Sequence, residues 1–265
     1  MGNEEEPKLL MAEPLLDYTK VSELMKREAA IRDRLISGFE NLDFLWAAED
    51  QLAWMLRNRD LLLDALSPDP SNIRQQIVTM RADVLFHFGN YLASVSAGRD
   101  FLYNNGKATF SPGLLRDVHR RADHMKKSSP YRIMLALRNR QQHAPPVIDS
   151  FNVEQRTKWH AEGEGLVLCP LLTDRTLAAV EEMLPTSDAG VAAHMARIKD
   201  AHATKKDWLT PLLHEHWAKV EGAFDECRTA VRTAHADEVM EYERLRAELE
   251  AVEGELKAMD LIAFP

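Results

Sequence analysis

Apolar residues recur at three- and four-residue spacing along almost the whole chain, the pattern of helices that each bury one stripe. Thr19 caps a helix running to about Leu66 with one break near Gly38. Its stripe includes Val21, Leu24, Ile31, Leu35, Leu45 and Leu52, with Trp46 and Trp54 as core or interface anchors. Ser67-Pro68-Asp69-Pro70-Ser71 punctuates the chain before a second long helix over Asn72 to Asn104. In that helix Met80, Val84, Phe88, Tyr91, Leu92 and Val95 form the stripe, and Gly89, Ala93, Ser94, Ala97 and Gly98 admit a close neighbour. Gly106 is expected to close it in the left-handed conformation. Ser111-Pro112-Gly113 opens a short helix to about Lys127, and Ser128-Ser129-Pro130 caps the next one.

The pattern changes after Val147. Val147 to Val153 and Gly165 to Leu168 read as two strands of a small hairpin. Thr173-Asp174 starts a helix that stops before Pro185, and Ser187-Asp188 starts another reaching about Lys206. A short break is expected near Pro211. From residue 216 to the end the chain reads as one long helix. Val220, Phe224, Cys227, Val231 and Ala234 alternate four and three, and Tyr242, Leu245, Leu249, Val252, Leu256 and Met259 resume after a stutter through Glu238. Such a helix would pair with its copy in a dimer or fold back along the bundle. The expected class is therefore all-α: an up-down multi-helix bundle over 19–215, a flexible arm over 1–18, a heptad-patterned helix over 216–265, and a small β-hairpin near 147–170.

One stretch carries chemistry. Arg138-Asn139-Arg140-Gln141-Gln142-His143 ends the apolar run Ile133, Met134, Leu135 and Leu137, and Ala144-Pro145-Pro146 follows. A residue before proline disfavours the helical basin, and the prolines cannot continue the helix. His143 is thus placed at the last turn, exposed, where the negative end of the helix dipole favours cations. Arg138 and Gln142 share a face, whereas Arg138 and His143 stand about 140° apart on an ideal helix. They converge on one ligand only if the last turn loosens or a second chain supplies the missing half.

Arg-Asn-x-x-x-His at a helix end, preceded by Ala136-Leu137 and followed by Pro145-Pro146-Val147, resembles the signature of the HEPN superfamily. These are all-helical domains, many of them metal-independent ribonucleases of toxin, phage-defence and RNA-decay systems. Phe88 to Ser94 and Arg99 to Leu102 also look like the helix that precedes the motif in the bacterial branch. The resemblance spans roughly residues 70–148. It implies a helical bundle with a composite active site at a two-fold dimer interface. Arg138 and His143 would carry catalysis and Asn139 would support them. The implied reaction is endonucleolytic RNA cleavage by attack of the ribose 2′-hydroxyl on the adjacent phosphate.

Charge sharpens this reading. The chain carries a net −9, which argues against indiscriminate nucleic-acid binding. Between Lys107 and His143, however, nine lysines and arginines face only Asp117 and Asp123, so that the segment is +7 and the remainder −16. Arg116, Arg120, Arg121, Lys126, Lys127, Arg132 and Arg140 are the residues expected to hold an RNA backbone, since phosphate binding needs clustered cations rather than a basic protein. Glu221 to Asp260 is acidic, at −7.

No Walker loop, dinucleotide turn, nucleophile elbow or Cys–His pair is present in the sequence. No metal or cofactor is expected: His214-x-His216 lacks further ligands at a suitable spacing and reads as a polar surface pair. Cys169 and Cys227 form no disulfide framework and fit a reducing cytosol, Met1 to Glu6 is unlike a secretion signal, and the apolar runs are too short to span a bilayer. The expectation is a cytoplasmic homodimer with RNA as substrate and an antitoxin or regulatory protein as a further partner. The alternative is a non-catalytic dimeric module that uses the same basic face to hold RNA, a nucleotide or an acidic protein.

Overall fold

The computed structural model describes residues 18–68, 73–143, 147–157 and 164–259. The arm expected over 1–18 lies outside them except for Tyr18, as do Ala144-Pro145-Pro146 and the tip of the hairpin. Among the described residues the chain is mostly helical, with α1 (Tyr18–Ser37), α2 (Asp43–Ala65), α3 (Ile73–Asn104), α4 (Pro112–Lys127), α5 (Ser129–His143), α6 (Asp174–Glu182), α7 (Ala189–Ala203), α8 (Leu209–Ala234) and α9 (Ala236–Ala258). The strands β1 (Ile148–Thr157) and β2 (Glu164–Leu172) form the expected antiparallel hairpin, in the register Asn152 opposite Cys169. The chain forms two compact units, Met1–Glu40 with His235–Pro265, and Asn41–Ala234.

The first unit is the pair α1 and α9. Val21, Leu24 and Ile31 on α1 and Leu245, Val252 and Leu256 on α9 are buried in it, as is Phe39 just after α1. Lys20, Arg27 and Arg34 stand one heptad apart and pair with Glu255 at 3.7 Å, Glu248 at 2.9 Å and Glu241 at 2.8 Å, so the two helices run antiparallel in heptad register. The expectation of one helix over 216–265 is corrected. His235 interrupts it, with φ −119° and ψ 35°, where the heptads stutter. The C-terminal half pairs with α1 of its own chain, whose Leu24 and Ile31 offer the apolar seam it needs.

The second unit is built around α3, α5 and α8. An aromatic cluster fills one end: Phe44 stacks on Phe101 at 5.1 Å, Phe110 tilts against Phe44, and Phe101 is parallel to Phe224 at 6.1 Å. Gly106 is not left-handed, contrary to expectation. The Phe110 ring lies 2.1 Å from where its Cβ would be, so glycine serves there to admit an aromatic ring. The break expected near Pro211 falls just before it, between Ala203 and Leu209, and the stretch from Pro211 to Trp217, expected to be less regular, is helical. Asp207 Oδ1 accepts from the Leu209 and Thr210 amides, and Pro211 follows in the first turn of α8, where a missing N–H leaves no helical bond unmade. The hairpin docks through its backbone: Leu168 N–H donates to Leu66 O at 2.7 Å, and Trp208 Nε1 donates to Pro170 O at 2.6 Å.

Candidate functional site

Helix α5 forms because Pro130, Tyr131, Ile133, Met134, Ala136 and Leu137 bury a continuous stripe among α3, α4, α6, α7 and α8. It stays regular through His143, so the terminal turn does not loosen. Arg138 and His143 consequently diverge within one chain by the helical angle. Arg138 is half-buried in a groove against α3, beside Leu92, Val95, Ser96 and Tyr131, with His216 of α8 at its floor. The void there has room for about one water molecule. His143 is exposed at the helix end, and Asn139, one turn before it, is half-exposed on the same face.

The electrostatics of this groove are uneven. Nε of Arg138 and Nε of Arg140 are buried with no hydrogen-bond partner, and neither arginine has a carboxylate partner among the described residues. Arg99 of α3 acts electrostatically on Tyr131, which lines the same groove. The Arg99 guanidinium is paired to Asp100 at 2.6 Å, and burial holds the Tyr131 hydroxyl above the ordinary phenol range. Gln141 Nε2 donates to Leu85 O at 3.4 Å and ties the end of α5 to α3.

The expected RNA-binding residues divide into two groups. Arg120 and Arg121 both bond Asp117, the latter at 2.9 Å, which holds that carboxyl below its usual range. Lys126 lies 3.7 Å from the Tyr103 ring centroid and 3.6 Å from Asp123. Arg132 reaches Asp188 at the start of α7 at 2.5 Å. Arg116 and Lys127 are exposed. On α4, Arg116, Arg120, His124 and Lys127 form one exposed stripe opposite buried Val118, Ala122 and Met125. The structure does not bring this stripe onto the motif. Gln141 sits beside Leu85 and α4 sits beside Tyr103, a separation of about 27 Å along α3.

Sequence reasoning missed His216. It is not a surface residue: it is fully buried, its Nδ1 lies 2.6 Å from the Tyr91 hydroxyl, and it stacks on Tyr131 at 5.5 Å. Burial pushes its imidazole down to about 3, so it stays neutral. Its spacing to Leu212, Leu213 and Val220 is the signal that would have found it. Cys227 is likewise buried, its thiol pushed up to about 12 by burial.

Among the described residues no group of three or more His, Cys, Asp or Glu is arranged to hold a metal ion, and no helix is long and apolar enough to cross a membrane. No family model, no curated protein and no solved structure matches this chain.

Proposed function

We propose that this chain is a metal-independent endoribonuclease of HEPN type that works as a homodimer. The observation that carries the reading is the state of Arg138 and Arg140. Both have a buried Nε without a hydrogen-bond partner, whereas Arg120 and Arg121 share Asp117 and Arg132 is paired with Asp188. A half-buried guanidinium without a counter-ion is costly to maintain, and a phosphate supplies the missing charge.

In the proposed reaction the ribose 2′-hydroxyl attacks the adjacent phosphorus, the 2′ oxygen forms a bond to it, and the bond to the 5′ oxygen breaks. The products are a 2′,3′-cyclic phosphate and a 5′-hydroxyl. His143 of one copy, beside Arg138 of the other, takes the 2′-hydroxyl proton and gives it to the leaving 5′ oxygen. Arg138 donates to the non-bridging oxygens as charge builds on them. Asn139, on the face of His143, orients that ring or the scissile group. The α4 stripe holds the flanking backbone.

The test is cleavage of labelled single-stranded and structured RNAs in EDTA by wild type, His143→Ala and Arg138→Ala. The expected result is cyclic-phosphate ends, with each substitution slowing cleavage by roughly 10²–10⁴-fold. No cleavage by a folded wild-type dimer would overturn the proposal. Salt-sensitive RNA binding in that case would favour the binding module instead.

A further inference from the structure

Helix α3 turns an uncharged face outward. Ala82, Phe86, Gly89, Asn90, Ala93 and Ala97 fall within about 100° of one another around the helix. Between Phe86 and Ala97 that sector holds no lysine, arginine, aspartate or glutamate. Phe86 is 64% exposed, and Ala93 and Ala97 are open to solvent. Ser94 and Gly98, small residues of the same helix, are buried instead, Gly98 against Met55 of α2. Helix α2 runs antiparallel beside α3 and widens the face. Helix α8 packs beneath both, against Tyr91 of α3 and against Glu49 and Arg59 of α2. Trp54 and Leu61 lie on the opposite side of α2 from Glu49 and Arg59, and so point the same way as Phe86. They are 46% and 39% exposed, and three large apolar side chains on one face mark an interaction surface.

Opposite charges stand at the two ends of this face. Asp83 is exposed one turn before Phe86. Arg57 is exposed on α2 near the level of Ser96, because Met55 marks the level of Gly98 and the helices are antiparallel. Neither is in an ion pair among the described residues. The midpoint between their levels is Gly89 and Asn90. The motif helix selects the same point. Arg138 lies beside Leu92 and Ser96, whereas Gln141 lies beside Leu85 and Gly89, so α5 runs antiparallel along one flank of the face and ends with His143 toward Asp83. An antiparallel crossing of two α3 helices at Gly89 and Asn90 puts both copies of α5 on one side of the pair. It brings His143 of one copy level with Arg138 of the other, and Asp83 of each level with Arg57 of the other.

The geometry points to this α2–α3 face as the seat of a second copy of the chain, crossed antiparallel at Gly89 and Asn90, with Phe86, Trp54 and Leu61 as its apolar anchors. Phe86 of one copy meets Ala93 of the other, a large side chain against a small one, and the edge charges complement each other. This deepens the homodimer reading, on which the orientation rests: the crossing supplies each motif with its missing half.

The experiment is sedimentation velocity of the full chain over a concentration series, beside circular dichroism to show that each variant is folded. Wild type is expected to dimerise. Phe86→Ala should weaken the dimer about tenfold or more, and Ala93→Glu, which sets a carboxylate against the partner's Phe86, roughly a hundredfold or more. Asp83→Arg should weaken it, and Arg57→Asp added to the same chain should recover the loss. Asn90→Cys should cross-link through a short bis-maleimide, whereas Ala97→Cys, about 22 Å from its own copy in this crossing, should not. The natural cysteines are buried. A monomeric wild type overturns the face, as does a dimer that Phe86→Ala and Ala93→Glu both leave equally tight, or one that cross-links at Ala97→Cys and not at Asn90→Cys. RNA cleavage is read separately. A dimer through this face that cleaves no RNA keeps the face and refutes the ribonuclease; cleavage by a dimer insensitive to these variants does the reverse.

Discussion

The Tyr91 hydroxyl lies 2.6 Å from Nδ1 of His216, and both residues are fully buried beneath the groove that holds Arg138. Burial keeps Tyr91 protonated and His216 neutral. With Tyr91 donating to Nδ1, the ring proton sits on Nε2. The pair is a polar joint between α3 and α8, and Tyr131 of α5 stacks on the same ring at 5.5 Å. The groove thus rests on a hydrogen bond that does not titrate in the folded state at ordinary pH.

The burial of His216 makes stability depend on pH in a defined window. The folded pKa of His216, about 3, lies below the unfolded value of about 6.5. The unfolded chain binds the extra proton between those values, so the stabilisation is complete above the unfolded pKa and is lost as pH falls toward the folded one. From pH 7 to pH 4.5 the loss due to this residue is on the order of 2–3 kcal/mol. Urea unfolding at the two pH values should show wild type losing that much more than His216→Gln. Equal losses would mean that His216 does not reach the folded state neutral. Asp117, Asp123 and Glu215, whose carboxyls are held low by their partners, lose their contribution at still lower pH in both proteins.

Gly106→Ala is expected to destabilise the aromatic end of the second unit. The added methyl would sit 2.1 Å from the Phe110 ring, which is itself packed on Phe44 at 5.1 Å. Overpacking of this kind costs about 1–3 kcal/mol. A thermal or urea midpoint unchanged from wild type would refute the role given to this glycine. Gly113→Ala, whose Cβ would meet only Ser111 Oγ at 3.9 Å, is the control.

The two glycine readings show what the sequence made legible and what it did not. Periodicity is local, and it placed α3, α4 and α5 within a residue or two of their observed bounds; each hairpin strand starts within a residue of its expected position and runs four residues further. Gly106 was read as a left-handed cap because a glycine after Asn104-Asn105 has that local meaning; the Phe110 ring over it is a tertiary fact. His214-x-His216 was read as a pair because the two histidines adjoin in sequence, yet on a helix they point about 200° apart and only His216 falls on the buried stripe. The motif was legible at Arg138, Asn139 and His143. The fates of its cationic neighbours were not, because Asp188, which neutralises Arg132, arrives from 56 residues away.

The ladder between α1 and α9 should respond to charge reversal as a pair. Glu248 accepts from Arg27 and, at 3.2 Å, from Arg244. Glu248→Lys places three cations together, and amides of both helices should exchange with solvent roughly threefold faster or more. Arg27→Glu combined with Glu248→Lys restores one opposite-charge contact and should recover part of the protection. A double variant that exchanges as fast as the single one would show that the apolar seam of Leu24, Ile31, Leu245 and Val252 holds the helices without help from the ladder.

The composite nature of the proposed site has its own test, distinct from loss of activity. Helix α5 is regular through His143, so Arg138 and His143 of one chain diverge by about 140°. If a site takes its arginine from one copy and its histidine from the other, a mixed dimer of Arg138→Ala and His143→Ala chains contains one intact Arg–His pair and one that lacks both. Unfolding and refolding the two inactive variants together should then restore cleavage, up to about a quarter of wild type for random pairing and independent sites. A site that takes both residues from one chain has no intact pair in any dimer of these variants, and the mixture stays inactive. Restoration would also assign the roles by subunit: Arg138 of one subunit would hold the oxygens while the second subunit's imidazole moved the proton.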